Sequence, residues 1–488
     1  MTHLAREKGE STALVFAPED GKDLKVSWTE LERRANQVAR FFAERGVEEG
    51  STVAVALRNS TEHVQSTFGA WKLGASVLPL RYDLPMWERD RILELAQPSI
   101  VVGDWNDDTG KVVSSEDLAR TIDRDASSLP DKTPARARMI ATSGSTGRPK
   151  LIVSPSPGVW SEAPTGVAST FQAEGDAVHL TASPMYHTNG QASSYMPLLA
   201  GDRIVVMERF DAEPAVDLIE RHQATHLILV PTMLQRIARL PDVEQRDFSS
   251  VRRLLYGGAS IPKWVVRAWL NLVPPDRFLL SYGGSEGIGI CMTTGAEWLS
   301  HPGTTGRPVG CDLKILDDDG NEVPTGEVGE IFMRPHDQTG PTFEYVGSET
   351  PRPTADGFQS YGDMGWVDED GFLYISDRRQ DMIVTGGANV FPAEVEAALS
   401  EHPEVEDVVV IGLPDPEWGR RVHAIIQPSL GASLDSDSAS AYCKERLSSY
   451  KVPKTFEFIE EMPRTGAGKV NRSALAAERA QPSDAVAG

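Results

Sequence analysis

Short apolar runs alternate with amphipathic segments through the first half of the chain, and this alternation constrains the fold more than any other feature. Apolar runs typical of β-strands occupy residues 52–57 and 225–230. Between such runs, apolar residues recur at helical spacing, as at Leu31, Ala35 and Val38. Alternation of this kind favours largely parallel sheets with helices packed on their faces. The sequence therefore predicts an α/β fold with layered sheets.

The pattern changes near residue 306 and again at a charged segment near Gln380. Short strands and turns predict a small β subdomain over residues 306–379. A helix and then a strand between residues 393 and 411 indicate a separate, compact α+β unit. The predicted organisation is a large N-terminal domain at 1–379, a C-terminal domain at 380–472 and a disordered tail at 473–488.

Composition restricts the partners. The formal net charge is -23, so the chain repels nucleic acids and anionic membranes, and an anionic ligand needs a local cluster of donors. The three cysteines form no CxxC pattern, which argues against disulfides and zinc and fits a reducing cytoplasm. We see no signal-peptide pattern and no apolar run long enough to span a membrane. A cytoplasmic protein without membrane insertion is expected.

A turn-rich segment between residues 142 and 150 has the composition of a phosphate-binding loop. Glycines let backbone N–H groups approach an anion, hydroxyls add donors and a lysine adds charge. The P-loop pattern of nucleoside triphosphatases is absent, because Arg148 and Pro149 separate the last glycine from the lysine. A solvated turn is the other interpretation. The candidate phosphate ligands are Thr142, Ser143, Gly144, Ser145, Thr146, Gly147 and Lys150.

Further motifs follow this loop in a fixed order. They lie at residues 257–260, 282–286, 363–365, 377–389 and 463–469. Together with the loop they resemble, over nearly the whole chain, the adenylate-forming superfamily of acyl-CoA synthetases, peptide synthetase adenylation domains and luciferases. The resemblance implies that a carboxylic acid attacks the α-phosphate of ATP to give acyl-AMP, and that a thiol then takes the acyl group. The implied small molecules are ATP or acyl-AMP, Mg²⁺ and coenzyme A.

The resemblance also implies roles for single residues. Tyr282 offers an aromatic face to adenine, Asp363 accepts ribose hydroxyls, and Glu286 is an oxygen ligand for Mg²⁺ together with Thr146. Lys469, in a loop flanked by glycines, neutralises charge that forms at the α-phosphate. The implied nucleotide ligands beyond the phosphate loop are Gly257, Gly258, Ala259, Tyr282, Gly283, Ser285, Asp363 and Arg378.

For the acid, the segment at 183–190 resembles the part of acyl-CoA and aryl-CoA ligases that carries a histidine near the carboxylate. The implied pocket residues are His187, Asn189, Gly190, Gly284 and Gly289. The glycines after Tyr282 leave little side-chain volume, so a bulky hydrophobic acid is expected. No aspartate lies between Thr181 and Gln191 to pair with an amino-acid substrate. The phrasing looks most like ligases for bile-acid, steroid or terpenoid carboxylates.

The resemblance also implies coenzyme A contacts and a mobile C-terminal domain that rotates about a hinge. The implied coenzyme A contacts are Gly386, Gly387, Gly419, Arg420 and Lys451, all of which are also ordinary surface residues in another interpretation. The hinge position holds the uncharged Gln380, where the family usually has Asp or Lys. The alternatives are therefore thioester formation alone from a preformed acyl-AMP, or loading of a carrier-protein thiol. A homodimer, a carrier protein and a partner adenylating enzyme stay open as partners.

Overall fold

Strands of the N-terminal part of the chain build two sheets that contain parallel strands. The computed structural model describes residues 1–105, 109–143, 149–155, 157–159, 176–336, 340–465 and 468–480. The strands up to residue 308 are β1 (Thr12–Ala17), β2 (Leu24–Ser27), β3 (Thr52–Ala56), β4 (Ser76–Pro79), β5 (Ile100–Gly103), β6 (Val112–Val113), β7 (Met139–Ser143), β8 (Pro149–Val153), β9 (Val178–Thr181), β10 (Arg203–Met207), β11 (His226–Leu229), β12 (Arg253–Tyr256), β13 (Phe278–Gly283), β14 (Ile290–Thr294) and β15 (Arg307–Pro308).

The largest sheet has nine strands in the order β15-β14-β13-β12-β11-β9-β10-β1-β2. Its central strands, from β13 to β1, are parallel, and antiparallel strands close both edges. A second sheet, β4-β3-β5-β6, is parallel throughout. The predicted layered α/β fold is confirmed.

Helices of the N-terminal part cover these sheets. They are α1 (Thr2–Lys8), α2 (Trp28–Ala43), α3 (Thr61–Lys72), α4 (Met86–Ala96), α5 (Ser115–Ala119), α6 (Thr188–Ala200), α7 (Ala212–His222), α8 (Pro231–Ala238), α9 (Lys263–Leu272) and α10 (Gly295–Ser300). Helix α2 begins where the Ser27 hydroxyl accepts the backbone N–H of Glu30, and its apolar face is buried. Helices α7, α8 and α9 share a core with one face of the large sheet, whereas α6 covers the other face. No helix in the described ranges is long and apolar enough to cross a membrane.

The chain also forms two small antiparallel sheets. Their further strands are β16 (Cys311–Leu316), β17 (Gly329–Pro335), β18 (Glu344–Val346), β19 (Gln359–Val367) and β20 (Leu373–Arg378). One sheet, β16-β17-β19-β20, forms the predicted β subdomain. In the other, β18-β8-β7, residues 344–346 pair with β8, the strand that follows the predicted phosphate loop, and β8 pairs with β7, the strand that precedes it.

The C-terminal part has its own core. Its elements are β21 (Ile383–Thr385), β22 (Ala388–Val390), α11 (Pro392–Ser400), β23 (Val405–Asp415), β24 (Gly419–Pro428), α12 (Ser436–Arg446), β25 (Thr455–Phe458) and α13 (Arg472–Ala480). It contacts the N-terminal part through α8. The Gln235 side chain donates to the Glu406 carbonyl over 2.9 Å. Just beyond the end of α8, the guanidinium of Arg239 donates to the carbonyls of Val405 and Glu406 over 2.8 and 2.7 Å.

The disordered tail expected from residue 473 is wrong for residues 473–480, which belong to α13. This helix forms because Leu475 is buried with Val409, Ile411 and Ile425 on one face of the β23-β24-β25 sheet. An alanine-rich segment that gains an apolar surface to pack on becomes helical, since packing rather than propensity decides the fate of a short helix. Residues 481–488 lie outside the described part of the chain.

Candidate active site

The predicted phosphate loop joins two paired strands. Strands β7 and β8 are antiparallel, and Thr142 pairs with Lys150 and Ser143 with Pro149. The two ends of the predicted loop are therefore neighbours in one antiparallel pair of strands. Gly144, Ser145, Thr146 and Gly147 lie outside the described residues, as does the side chain of Ser143. The described site thus begins at Lys150.

Lys150 and Glu286 both contact Tyr345. The Lys150 Nζ atom is 3.3 Å from the centroid of the Tyr345 ring, and the Tyr345 hydroxyl donates to Glu286 Oε1 over 2.9 Å. Burial lowers the pKa of Lys150, and the Glu286 charge opposes this shift. The sequence did not point to Tyr345, because it reaches the site only through the pairing of β18 with β8.

A second cluster joins Tyr282, Asp363 and Arg378. The Tyr282 hydroxyl donates to Asp363 Oδ2 over 2.8 Å, and Arg378 Nε lies 3.5 Å from Asp363 Oδ1. Asp363 and Arg378 face each other because they are paired in the ladder of β19 and β20. Burial raises the pKa of the Asp363 carboxyl, and Arg378 opposes this effect. A carboxylate held in this way can accept two hydroxyl groups of a ligand.

The turn after β12 lies against the start of α6. A Cβ atom on Gly257 would lie 2.8 Å from Ser281 Oγ, and Gly258 has a φ of +103°, so both positions require glycine. The Asn189 amide donates to the Gly257 carbonyl over 3.3 Å, and the Ala259 carbonyl accepts the Tyr256 hydroxyl. This close contact fits a backbone that approaches a flat ligand.

Ser285 also contacts the start of α6. Its hydroxyl oxygen is 2.7 Å from that of Thr188, the first residue of α6. The predicted contacts at Ser285 and Asn189 therefore meet at the N-terminus of one helix, where backbone N–H groups favour an anion.

His187 caps α6 and is held in its neutral form. Burial, then Lys469 and then Arg81, lower the pKa of His187 to about 3. Its Nε2 atom is buried and has no hydrogen-bond partner in the part of the chain that the structure describes. The imidazole can therefore offer a lone pair or a single N–H to a ligand but no positive charge near neutral pH.

Lys469 reaches this cleft from the C-terminal part. Burial lowers its pKa, Arg378 lowers it further and Glu286 opposes both, so the ammonium lies within electrostatic range of both predicted nucleotide ligands. The preceding Gly468 has a φ of +74°, and a Cβ atom there would lie 2.5 Å from Thr232 Oγ1 of α8. Glycine is thus required where the loop meets the N-terminal part.

The pocket glycines have a different role from the one predicted. A Cβ atom on Gly284 would lie 2.5 Å from the Tyr361 ring, and one on Gly289 would lie 2.8 Å from the Met333 side chain. A Cβ atom on Gly190 would lie 2.1 Å from the Pro184 carbonyl oxygen, and one on Gly283 would lie 3.2 Å from the Gly289 carbonyl oxygen. The expectation that glycines here leave volume for the acid is wrong for Gly284 and Gly289, because neighbours fill that space.

The apolar surface under α6 was not predicted. Ala192 of that helix and Met292 of β14 are partly buried and pack on Ile228, Leu255 and Leu279 of the large sheet. Ala192 lies about one helical turn beyond His187 and Asn189. The three sheet residues are buried, whereas Ala192 and Met292 are only partly buried.

The predicted coenzyme A residues are partly brought together. Gly386 and Gly419 adjoin Trp418, whose carbonyl accepts the Gly386 N–H over 2.9 Å and whose side chain is 42% exposed. Lys454 Nζ is 5.3 Å from the centroid of the same ring. Trp418 is the residue that the sequence motifs missed.

The other predicted coenzyme A residues have protein partners or none. Arg420 donates to the Gly412 carbonyl over 2.9 Å, and Lys451 forms an ion pair of 2.6 Å with Glu394. Gly387 is exposed and has a φ of +82°. Gln380, the predicted hinge, lies between β20 and β21, is exposed and makes no side-chain hydrogen bond to any described residue.

Glu286 fits the predicted magnesium ion. One of its oxygens accepts the Tyr345 hydroxyl, and the other makes no hydrogen bond to a described residue. Within the described ranges no group of three or more His, Cys, Asp or Glu residues could hold a metal alone. A single carboxylate suits Mg²⁺, which usually keeps several waters and shares its coordination with phosphates.

Comparison with known proteins agrees with this geometry. A family model described as AMP-binding enzyme matches residues 1–339, and one described as AMP-binding enzyme C-terminal domain matches residues 394–469. A feruloyl-CoA synthase from Amycolatopsis sp is 32% identical over 91% of this chain and 92% of its own length. A 2-succinylbenzoate–CoA ligase from Bacillus licheniformis is 31% identical over 93% of this chain and 95% of its own.

A solved structure has the same fold. The o-succinylbenzoate CoA synthetase of Bacillus subtilis, in complex with its acyl-adenylate intermediate, superimposes with a TM-score of 0.80 at 27% identity and covers 97% of each chain. The same enzyme has also been solved with ATP and a magnesium ion, at 26% identity and a TM-score of 0.80 over 97% of this chain and 98% of that one.

Proposed function

The chain belongs to the AMP-binding enzyme family and is an ATP-dependent acyl-CoA ligase that works through an acyl adenylate, and we propose that its acid is hydrophobic and contains rings. The cosubstrates are ATP, with Mg²⁺, and coenzyme A. Within this proposal, the acid is aromatic or polycyclic, such as a terpenoid or steroid-like carboxylate.

The observation that carries the proposal is the convergence of charged groups on one cleft. Lys469 lies within electrostatic range of Glu286, Arg378 and His187, although it comes from a different part of the chain. In an otherwise acidic protein, the local cations Lys150, Arg378 and Lys469 are what a nucleoside triphosphate needs. Phosphates bound here would lie between Lys150 on one wall and Lys469 on the other.

Each residue has a task in acyl-AMP formation that its surroundings support. Asp363 would accept the ribose hydroxyls, because Tyr282 and Arg378 hold its carboxylate in place. Lys469 would neutralise the charge that develops as the acid attacks the α-phosphate. His187 would stay neutral beside the acid, so that it does not pair with the attacking carboxylate and hold it back. Mg²⁺, when bound by Glu286, would reduce the charge of the phosphates.

The proposal for the acid rests on chemistry at the start of α6. The relatives are named for ferulate and 2-succinylbenzoate, and both of these acids contain a benzene ring. Ala192 and Met292, which are partly buried and pack on Ile228, Leu255 and Leu279, would contact such a ring beside the first turn of α6. Burial of ring surface on this cluster would supply about 25 cal/mol per Å².

The uncharged hinge supports a narrower alternative. We propose that the C-terminal part, from residue 380 onward, rotates about Gln380 between the two half-reactions, and that loss of the usual charge biases this rotation. In the extreme case the enzyme would form only the thioester from an acyl-AMP made elsewhere. The complete set of Lys150, Glu286, Asp363 and Lys469 favours both half-reactions.

The test is an assay of each product by itself. The purified protein is given aromatic and polycyclic acids with ATP and Mg²⁺, with and without coenzyme A, and pyrophosphate, AMP and thioester are measured separately. We expect pyrophosphate without coenzyme A and thioester with it. Chemically made acyl-AMPs are tested in parallel without ATP.

Each outcome separates the alternatives. Thioester from acyl-AMP, with no pyrophosphate from any acid, would support the single half-reaction. Transfer of the acyl group to a phosphopantetheinyl carrier protein, with none to coenzyme A, would show that the carrier-protein thiol is the acceptor in place of coenzyme A. Turnover of short aliphatic acids in preference to ring-bearing ones would overturn the proposed acid class.

A further inference from the structure

Arg138 is a deeply placed cation without an acidic partner. Its Nη1 atom donates to Oε1 of Gln191 over 2.8 Å, and this is the one hydrogen bond of its side chain to the residues that the structure describes. No carboxylate of the described ranges lies within ion-pair distance of it. A guanidinium has several more N–H donors in a rigid planar fork. Most of the donors of Arg138 therefore remain available.

The surroundings of Arg138 make the lack of an acidic partner unfavourable for stability. Burial lowers the pKa of Arg138, and no acidic neighbour opposes the shift. The residue is nevertheless only partly buried, so some of its N–H donors are accessible to a ligand. An unpaired charge in such a place destabilises the folded state unless a ligand pairs with it.

The position of Arg138 relates it to the acid site. Side chains alternate along a strand, so Arg138 just before β7 shares a face with Ile140 and Thr142. Ile140 packs with Ile288 and Cys291 at the ends of β13 and β14. Thr142 opens the phosphate loop, about 13 Å along the strand from Arg138.

Gln191 ties Arg138 to the other side of the same site. It belongs to the first turn of α6, and its N–H donates to the carbonyl of His187 over 3.0 Å. The next residue along, Ala192, lies in the apolar cluster under the helix. The Arg138 guanidinium therefore lies beside the first turn of α6, the helix that begins next to His187.

We propose that Arg138, positioned by Gln191, binds a second carboxylate at the far end of the acid, so that the preferred substrate is a ring-bearing dicarboxylate. This inference rests on the proposed function and narrows it. The reacting carboxylate lies near His187, the ring packs on the apolar cluster, and the distal carboxylate receives the parallel N–H donors of the guanidinium. In a chain with a net charge of -23, a second anion needs such a local cation.

The experiment compares acids that differ only in the distal carboxylate. Cinnamate is paired with para-carboxycinnamate, and biphenyl carboxylate with its para,para′-dicarboxylate. The kcat/KM for acyl-AMP formation is measured for the wild type, Arg138→Met and Arg138→Lys. We expect the wild type to prefer at least one dicarboxylate to its partner by about tenfold or more, as one charge-assisted pair can provide.

The variants distinguish recognition from a structural role. Arg138→Met should reduce this ratio to near one, mainly through the KM of the dicarboxylate, and Arg138→Lys should restore part of it. Because methionine removes an unpaired charge, the melting temperature should stay the same or rise. Arg209→Met is the control, since Arg209 is an exposed arginine that contacts Glu19 at 3.6 Å, and its ratio should match the wild type.

Two results of the turnover and melting measurements would overturn the inference. One is a wild type that shows no preference for either dicarboxylate. The other is an Arg138→Met protein that melts earlier and loses both acids of a pair equally, which is the signature of a structural arginine. Calorimetry with the two dicarboxylates and no ATP needs no turnover, so binding that depends on Arg138 supports the inference even if no acid yields AMP. Absence of such binding would overturn it.

Discussion

The two walls of the cleft are held in different ways. The nucleotide wall, formed by Tyr282, Asp363 and Arg378, lies on neighbouring strands and is joined by its own hydrogen bond and ion pair. The lysine loop, residues 463–465 with 468–469, belongs to the C-terminal part and contacts the N-terminal part where Gly468 abuts Thr232 of α8. One wall is built within the N-terminal part, and the other is contributed by the C-terminal part.

This difference has a consequence for the two half-reactions. Residues on strands stay in register whichever way the C-terminal part is turned. In the proposed rotation about Gln380, Lys469 serves the cleft only when its domain is docked on α8. Changes in the lysine loop should therefore harm acyl-AMP formation selectively, whereas changes in the nucleotide wall should harm both half-reactions, since acyl-AMP occupies that wall in each.

The largest expected effect follows from removal of the delivered charge. We expect Lys469→Ala to slow acyl-AMP formation by about 100- to 1,000-fold, because a positioned charge at the reacting phosphate is lost. Thioester formation from added acyl-AMP should fall far less. Pyrophosphate release and thioester are measured separately, and Lys444→Ala, an exposed lysine on α12, is the control. Equal losses in both assays would break the comparison between the walls.

The second expected effect lies at the border between the walls and concerns stability. Asp377 is buried at the end of β20 and accepts the backbone N–H groups of Arg378 and Ala393, over 2.7 and 2.8 Å. Burial raises its pKa to about 6. As the pH rises from about 4 to 6, the unfolded chain loses this proton before the folded one. The free energy of unfolding should fall by about 2 to 3 kcal/mol over that range.

Asp377→Asn removes this titration. Denaturant unfolding of both proteins is measured from pH 4 to 8, and the difference between their unfolding free energies is plotted against pH. We expect the wild type to lose stability relative to the variant as the pH rises through about 4 to 6, with a constant difference above that range. A difference that does not change with pH would show that the carboxyl ionises normally.

The sequence predicted the nucleotide wall better than its surroundings. Asp363 and Arg378 lie in recognisable motifs, and pairing of adjacent strands then places them together. Tyr345 and Trp418 escaped because each reaches its site through pairing or packing with residues distant in the chain. No local pattern reveals such a contact.

The errors have the same origin. Gly284 and Gly289 look like open space in the sequence, but the Tyr361 and Met333 side chains from the β subdomain fill it. The tail looked disordered because its composition is alanine-rich, while the surface that orders α13 comes from β23 and β24. Helix and strand periodicity is a local property, and the sequence predicts it correctly. Side-chain neighbours across the fold are not a local property, so the sequence does not reveal them.

A smaller expected effect tests how the lysine loop is held within its own domain. Arg464 binds both carboxylate oxygens of Asp407, at 2.5 and 2.7 Å, and donates to the Gly468 carbonyl over 2.8 Å. We expect Arg464→Met to slow acyl-AMP formation by about tenfold, the value of one hydrogen bond between charged groups. Thioester formation from acyl-AMP should change less.

Arg446→Met is the matched control for this variant. Arg446 lies in the same domain, on α12, and contacts only the neighbouring Glu445 and Tyr442 among the described residues. Its loss should leave both half-reactions close to wild type. If Arg464→Met slowed both half-reactions to the same extent, the loop would be part of a general scaffold and not a delivered group.

The smallest expected effect concerns the hinge that delivers the lysine loop. Gln380 is exposed and its side chain has no hydrogen bond within the described ranges, whereas the next residue, Asp381, lies 3.5 Å from Arg472. A charge at position 380 could pair with different partners in the two domain orientations, which an amide cannot do as strongly. We expect Gln380→Asp to raise the steady-state rate of thioester formation by about two- to fivefold, because exposed ion pairs are worth up to about 1 kcal/mol. A single turnover of acyl-AMP formation, started with the lysine loop already docked, should not change. A change in the single-turnover rate without a change in the steady-state rate would contradict this expectation. Residue 380 would then act on the docking of the lysine loop, and delivery of Lys469 would not limit the steady-state rate.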